Sequence, residues 1–259
     1  MADSPSIPPS GLATAPLVAH LLELRTRVLW ALGGIIVATA VAWIFVQPIY
    51  GFLVQPLADA MGQDGTQRLI YTNLTEAFFT YLRVSFFAGL LVAMPILLAQ
   101  VWMFIAPGLY KHERGTLWPF LVASPLLFYL GGAVVYYGVL PLAWGFFLSF
   151  QSTAADTVLP IMLEARVSEY LDLVMVLVMA FGLAFQLPVA LMLLARVGVI
   201  TAPMLVKFRK YAIIAAFIIA APLTPPDIVS QTLLALPLIA LYELSIVLIR
   251  VQGARHDPA

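Results

Sequence analysis

The 259-residue chain contains no cysteine, so it has no disulfide framework, no thiol nucleophile and no cysteine-based metal site. Charge is scarce as well: only 10% of residues are charged, and 13 basic residues balance 13 acidic ones. A chain with zero formal net charge offers no general attraction for nucleic acid, and only the placement of its charges carries information. Residues 1–19 hold no Lys or Arg, which excludes both the basic start of a secretory signal and an Arg-rich transit peptide. With several Pro and Ser, they are expected to form a disordered tail. No P-loop, HExxH or Gly-x-Ser-x-Gly motif occurs. Nucleotide hydrolysis and zinc proteolysis are therefore unsupported, no cofactor is expected, and the chain is not read as an enzyme. The three histidines, His20, His112 and His256, lie far apart in sequence and read as solvated side chains rather than metal ligands. No internal repeat is found, which weakens an inverted-repeat transporter reading.

Apolar residues, by contrast, make up 63% of the chain and raise the mean hydropathy to +1.00. A soluble domain is only about half apolar, so this is a polytopic membrane protein. A crossing takes about 20 apolar residues. Val28–Val46, Ala77–Ile105, Leu117–Phe147, Leu171–Ala195 and Ile228–Ile249 all qualify. Between Lys210 and the LTPPD stretch, Tyr211–Pro222 offers only 12 residues, roughly 18 Å of helix, which predicts a short fifth crossing. Six crossings are counted because a fifth that failed to cross would put its flanking basic segments on opposite sides. The expected architecture is all-α, with a membrane domain over residues 20–250 and a short C-terminal tail over 251–259.

Orientation follows from Lys and Arg near the ends of the spans. One side holds Arg25, Arg27, Lys111, Arg114, Arg196, Lys207, Arg209, Lys210, Arg250 and Arg255, and the other only Arg68 and Arg166. Both termini and the YKHER stretch are thus cytoplasmic. Arg83 falls inside the second span, about two turns after Glu76, and reads as snorkelling or ion-paired near the outer interface. Glu243 reads as facing the bundle near the cytoplasmic interface. Pro95, Pro125, Pro188 and Pro237 fall within spans, and each frees a backbone carbonyl and bends its helix.

Two carboxylates stand out on the cytoplasmic side. Glu23 lies in HLLELRTR and Glu113 in IAPGLYKHERG, each an acid set among bases. One reading is structural: Glu23 pairs with Arg27 at i,i+4, and Glu113 with Lys111 or Arg114, each pair worth about 0–1 kcal/mol. The other is recognition of an incoming cation. Arginine fits best, because its planar fork donates two hydrogen bonds to one carboxylate where lysine cannot. Arg25, Lys111, His112 and Arg114 around these acids would then discourage indiscriminate binding of basic peptides.

HLLELRTR before the first span, QVWMFIAPGLYKHER ending the second, FGLAFQLPVAL in the fourth and LTPPDIVSQTLLALP between the fifth and sixth together resemble the TatC family. That family is the receptor subunit of the bacterial twin-arginine protein translocase, and the resemblance runs in order from about His20 to Arg250. It implies six helices in a bent, concave bundle within the bacterial cytoplasmic (inner) membrane. It also implies binding of the twin-arginine signal peptides of folded cargo, with Glu23 and Glu113 holding the arginine pair. TatB-like and TatA-like single-span subunits would pack alongside in an oligomeric complex surrounded by membrane lipid, and transport would draw on the proton-motive force without ATP. Pro225, Pro226 and Asp227 match the family's turn on the outer side. Where the family commonly has glutamate in the fourth span, this chain has Gln186, which can hydrogen-bond but cannot carry charge. A secondary transporter of a small solute stands as the rival reading, and an intramembrane enzyme as a third.

Overall fold

The computed structural model describes residues 14–62, 68–105, 118–152, 159, 163–223 and 228–254. Nine α-helices follow one another among the described residues: α1 (Thr14–Ile44), α2 (Val46–Met61), α3 (Glu76–Ile105), α4 (Trp118–Val134), α5 (Leu140–Leu148), α6 (Val167–Ala184), α7 (Leu187–Arg196), α8 (Ala202–Ala220) and α9 (Ile228–Ala254). A π-helical turn, Val135–Val139, joins α4 to α5, and a 3₁₀ turn, Ala221–Leu223, follows α8. Helix α1 begins at Thr14, inside the segment read as a tail.

Five stretches are long and apolar enough to cross a membrane: Leu21–Ile44, Glu76–Phe104, Phe120–Leu148, Val167–Arg196 and Gln231–Gln252. They match the five full spans expected, and the protein is a multi-pass membrane protein. The short fifth crossing expected corresponds to α8, which is 19 residues long, but Lys207, Arg209 and Lys210 occupy its middle and leave only its second half apolar. It lies antiparallel to α9. Tyr242 donates to the Leu205 carbonyl at 2.7 Å, and Gln231 donates to the Phe217 carbonyl at 3.2 Å. Helix α2 was not anticipated. It has 16 residues, too few for a crossing, and sits on the outer side against α3 and α5. There it buries Leu53, Pro56 and Leu57 in the main core with Val135, Leu140, Leu171 and Val174.

Apolar burial alone does not hold membrane helices together, because lipid tails are as apolar as the side chains; close backbone approach and hydrogen bonds do. Helices α1 and α3 meet at Gly89, where a Cβ would stand 2.5 Å from the Thr39 nitrogen and 2.6 Å from its Cα. Helices α4 and α6 meet at Gly131, where a Cβ would lie 2.6 Å from the Phe181 carbonyl oxygen.

The prolines set the second kind of tie. Pro95 has no N–H for the carbonyl of Leu91, one turn earlier. Tyr129 of α4 donates its hydroxyl to that carbonyl at 2.9 Å. Pro56 does the same to the carbonyl of Phe52, which accepts from the Tyr136 hydroxyl, while Tyr170 donates to the adjacent Leu53 carbonyl at 2.9 Å. Ahead of Pro141 the helix widens into its π turn, with the Leu140 N–H bonded to the Val135 carbonyl. The fourth span breaks at Phe185 and Gln186, just before Pro188.

On the outer side, a parallel bridge joins Ile70 to Arg166. Arg83 pairs with Asp172 at 2.6 Å rather than with Glu76. The reading of Arg83 as ion-paired near the outer interface holds, and its partner comes from the fourth span.

Two stability outcomes follow. Gly89→Ala should push α1 away from α3 and lower stability by roughly 1–3 kcal/mol, whereas Gly51→Ala, with open space at its Cβ, should be neutral. Tyr129→Phe should cost about 1 kcal/mol in the native background and much less with Pro95→Ala, which restores the missing N–H. Equilibrium unfolding of the four variants of this cycle in detergent checks the coupling; additive costs would mean that the tyrosine does not serve the proline-freed carbonyl.

Candidate functional site

The cytoplasmic end is built from the first turns of α1 and the last turns of α3. Glu23 and Arg27 stand one helical turn apart, so their side chains meet: Arg27 Nε donates to Glu23 Oε1 at 3.2 Å, and its Nη2 donates to the same oxygen. Arg27 also reaches across to α3, where Nη1 donates to Gln100 Oε1 at 3.4 Å. The pairing expected from the i,i+4 spacing is thus present. The link to Gln100 is new, and its signal was a lone amide in the otherwise apolar run before Val101 and Trp102. The Glu23 side chain keeps 35% of its surface exposed, against 21% for Arg27, so a solute can reach the carboxylate. Arg25 points outward and is exposed.

Lys111, His112, Glu113 and Arg114 lie outside the described residues, as do Pro225, Pro226 and Asp227. Ile105 is five residues past Gln100, about 7.5 Å of helix rise. The connection that carries Glu113 therefore leaves α3 at the end where Glu23 stands.

Behind this surface, α3, α4 and α7 are tied together. Trp102 Nε1 donates to Ser124 Oγ at 2.7 Å, and the Trp102 and Phe120 rings stand 5.7 Å apart. The Arg196 guanidinium lies 5.0 Å over the Phe120 ring. Gln186 occupies the break between α6 and α7, half-buried, and its Nε2 donates to the Ser124 carbonyl at 2.9 Å. Its Oε1 is buried without a partner among the described residues. One serine thus receives a bond from the second span and another from the fourth. Glu243 pairs with Arg209 of α8 at 2.6 Å near the cytoplasmic interface, a partner its position alone did not indicate.

At the opposite end, Glu76 is buried and heavily satisfied. It accepts from the Thr72 N–H at 2.9 Å, from the Ser168 hydroxyl and from Arg166 Nη2 at 3.2 Å, while Arg166 Nη1 binds Glu169 at 2.8 Å. Hydrogen bonding to Glu76 and the attraction of its charge hold the Arg166 pKa above its ordinary value. A ligand would have to displace several of these bonds at once, so this cluster fastens the outer loop; sequence reading missed it because Glu76 and Ser168 are 92 residues apart.

The TatC family, described as Sec-independent protein translocase protein, matches residues 19–237 of the chain. The Sec-independent protein translocase protein TatC of Magnetococcus marinus is 50% identical over 232 residues, covering 90% of this chain and 83% of the relative. That of Rickettsia prowazekii is 46% identical, covering 88% and 90%, and that of Escherichia coli is 42% identical, covering 90% and 87%. A crystal structure of the twin-arginine translocase receptor TatC aligns with a TM-score of 0.78 at 37% identity, covering 90% of this chain and 98% of the other. Matched by the family over most of its length and sharing its fold with a solved member, the chain belongs to the TatC family of Sec-independent protein translocase proteins.

Proposed function

We propose that this protein is the receptor subunit of a twin-arginine translocase in the bacterial cytoplasmic membrane, where it binds the twin-arginine signal peptides of folded proteins. The observation that carries the reading is the position of Glu23. It stands on the cytoplasmic end of α1, is accessible to solute, and is held by an arginine that has a second acceptor in Gln100. When a guanidinium arrives, it can take the carboxylate while Arg27 keeps its bond to α3. Glu113, carried by the connection that leaves α3 at this same end, supplies the second carboxylate, and two acids select two guanidinium groups. Arg25, Lys111, His112 and Arg114 surround the acids with positive or ionisable groups and so raise the threshold for peptides that cannot form the paired geometry. TatA-like and TatB-like subunits pack beside the receptor, and the complex exports cargo without a nucleotide site of its own.

Gln186 ties the break in the fourth span to α4 through its bond to Ser124. A leucine there loses the bond. A glutamate can donate to the carbonyl only when protonated.

Two measurements test this reading. Glu113→Ala should weaken binding of an Arg-Arg signal peptide by about tenfold or more, because a charge-assisted hydrogen bond contributes roughly 1.5–3 kcal/mol. Glu113→Gln should fall nearly as far, and a Lys-Lys peptide should lose less. Fluorescence anisotropy on the wild type, both Glu→Ala single variants and the double variant decides it; equal affinity for the Arg-Arg peptide in wild type and double variant would remove these residues from the site. Separately, Gln186→Leu should reduce export of a folded twin-arginine reporter more than Gln186→Glu. Wild-type export by both would reduce the position to packing.

A further inference from the structure

Helix α8 carries a charged surface of its own, on the side turned away from α9. Its Arg209 is already engaged, paired with Glu243 at 2.6 Å. Lys207 and Lys210 are both exposed, and no carboxylate pairs with either among the described residues. Lys210 Nζ lies 5.0 Å from the centre of the Tyr211 ring. At helical spacing Lys207, Lys210, Tyr211, Ile214 and Ile218 share one face. The last three keep 55%, 56% and 66% of their surface exposed. The opposite face holds Leu205, Ala216 and Ala220, which are buried. From its cytoplasmic end outward, the exposed face thus presents two ammonium groups, a phenol and an aliphatic stripe.

The lysines sit low in the bundle. Arg209 meets Glu243, and the next basic residue of α9, Arg250, lies about 10 Å of helix rise further toward the cytoplasm. The two ammonium groups therefore stand below the end of the neighbouring helix, at a depth where a bare charge is costly. From Lys210 to the end of the 3₁₀ turn at Leu223, the apolar part of this crossing rises only about 20 Å, against about 30 Å of hydrocarbon. Lys210 to Ile218 rises about 12 Å, close to the depth of one leaflet's hydrocarbon. We propose that this face binds an anionic phospholipid of the cytoplasmic leaflet. The phosphate lies on Lys207 and Lys210, the interfacial region beside the Tyr211 hydroxyl, and an acyl chain along Ile214 and Ile218. Two cations without an acidic partner favour a net negative headgroup over a zwitterionic one, whose own ammonium group they repel. A soluble phosphate would meet the lysines but not the stripe, so the aliphatic half of the face selects a lipid. The bound headgroup follows the lysines down, which lets α8 cross without placing them in hydrocarbon. This site is independent of the receptor reading: a chain that bound no signal peptide would still hold lipid here.

The test uses the full chain in nanodiscs of phosphatidylglycerol and phosphatidylcholine in equal amounts, with native mass spectrometry of the lipid that stays bound on release. Wild type should retain phosphatidylglycerol over phosphatidylcholine by about tenfold or more, the two lysines acting together. Lys207→Gln combined with Lys210→Gln should remove most of that preference, whereas Lys207→Arg combined with Lys210→Arg should keep it. Arg25→Gln, which takes an exposed charge from α1, should keep it as well. An undiminished preference in the glutamine double variant would overturn the proposal. Release of the lipid by millimolar inorganic phosphate would also overturn it, because the site would then take phosphate without a tail. Should the double variant fail to fold, the wild-type chain decides with a phosphatidylglycerol that carries a photoreactive group in its acyl chain. Label on the stretch from Tyr211 to Ile218 supports the proposal, and label confined to other helices overturns it. A photocrosslinker at Ile214 in native membranes that captures a second copy or another protein, and no lipid, would overturn it too.

Discussion

A backbone carbonyl freed inside a bilayer has no water to turn to, and that constraint organises this protein. Pro95 strands such an acceptor in the second span and Pro56 strands another on the packed face of α2, and in each case a tyrosine from a distant helix supplies the donor. Through these bonds α4 is tied to α3 and the π turn to α2. The proline-induced bends therefore become fixed points of the bundle rather than weaknesses. The close crossing at Gly89 then sets α1 against α3. The distance from Arg27 to Gln100, and with it the posture of Glu23, depends on that crossing.

The two ends of the molecule use charge differently. At the outer end Glu76 accepts from Thr72, Ser168 and Arg166, and it is buried; opening this cluster would strand several groups at once. At the cytoplasmic end Glu23 is partly exposed and pairs with a neighbour one turn away, an arrangement worth little as a stabilising device. An ion pair that contributes little to stability can be exchanged for an incoming ion at small cost. The same two residue types thus fasten a loop at one end and leave an accessible carboxylate at the other, and burial makes the difference.

Gln186 shows how an apolar span carries one polar residue. The break before Pro188 leaves it between two helices, where its amide can reach the carbonyl of Ser124, itself just ahead of Pro125. Two bent helices are joined at their bends. The neutral amide donates at any pH, whereas a carboxylic acid in that place would donate only in its protonated form.

Much of this was legible along the chain, because hydropathy, charge placement and proline positions are local properties. The apolar runs determined five full spans and one short crossing, the fifth in order, the uneven Lys and Arg placement determined the orientation, and HLLELRTR and YKHER marked the family. The Glu23–Arg27 pair follows from helical spacing alone. Helix α2 escaped notice because, at 16 residues, it is no span, and its buried side faces partners far along the chain. Tertiary structure alone decided that Arg83 pairs with Asp172, that Glu243 pairs with Arg209, which tyrosines serve which carbonyls, and that Arg27 reaches Gln100. Those contacts join residues 34–117 positions apart, and no local pattern specifies them; they exist only once glycine-mediated crossings have brought the helices within reach.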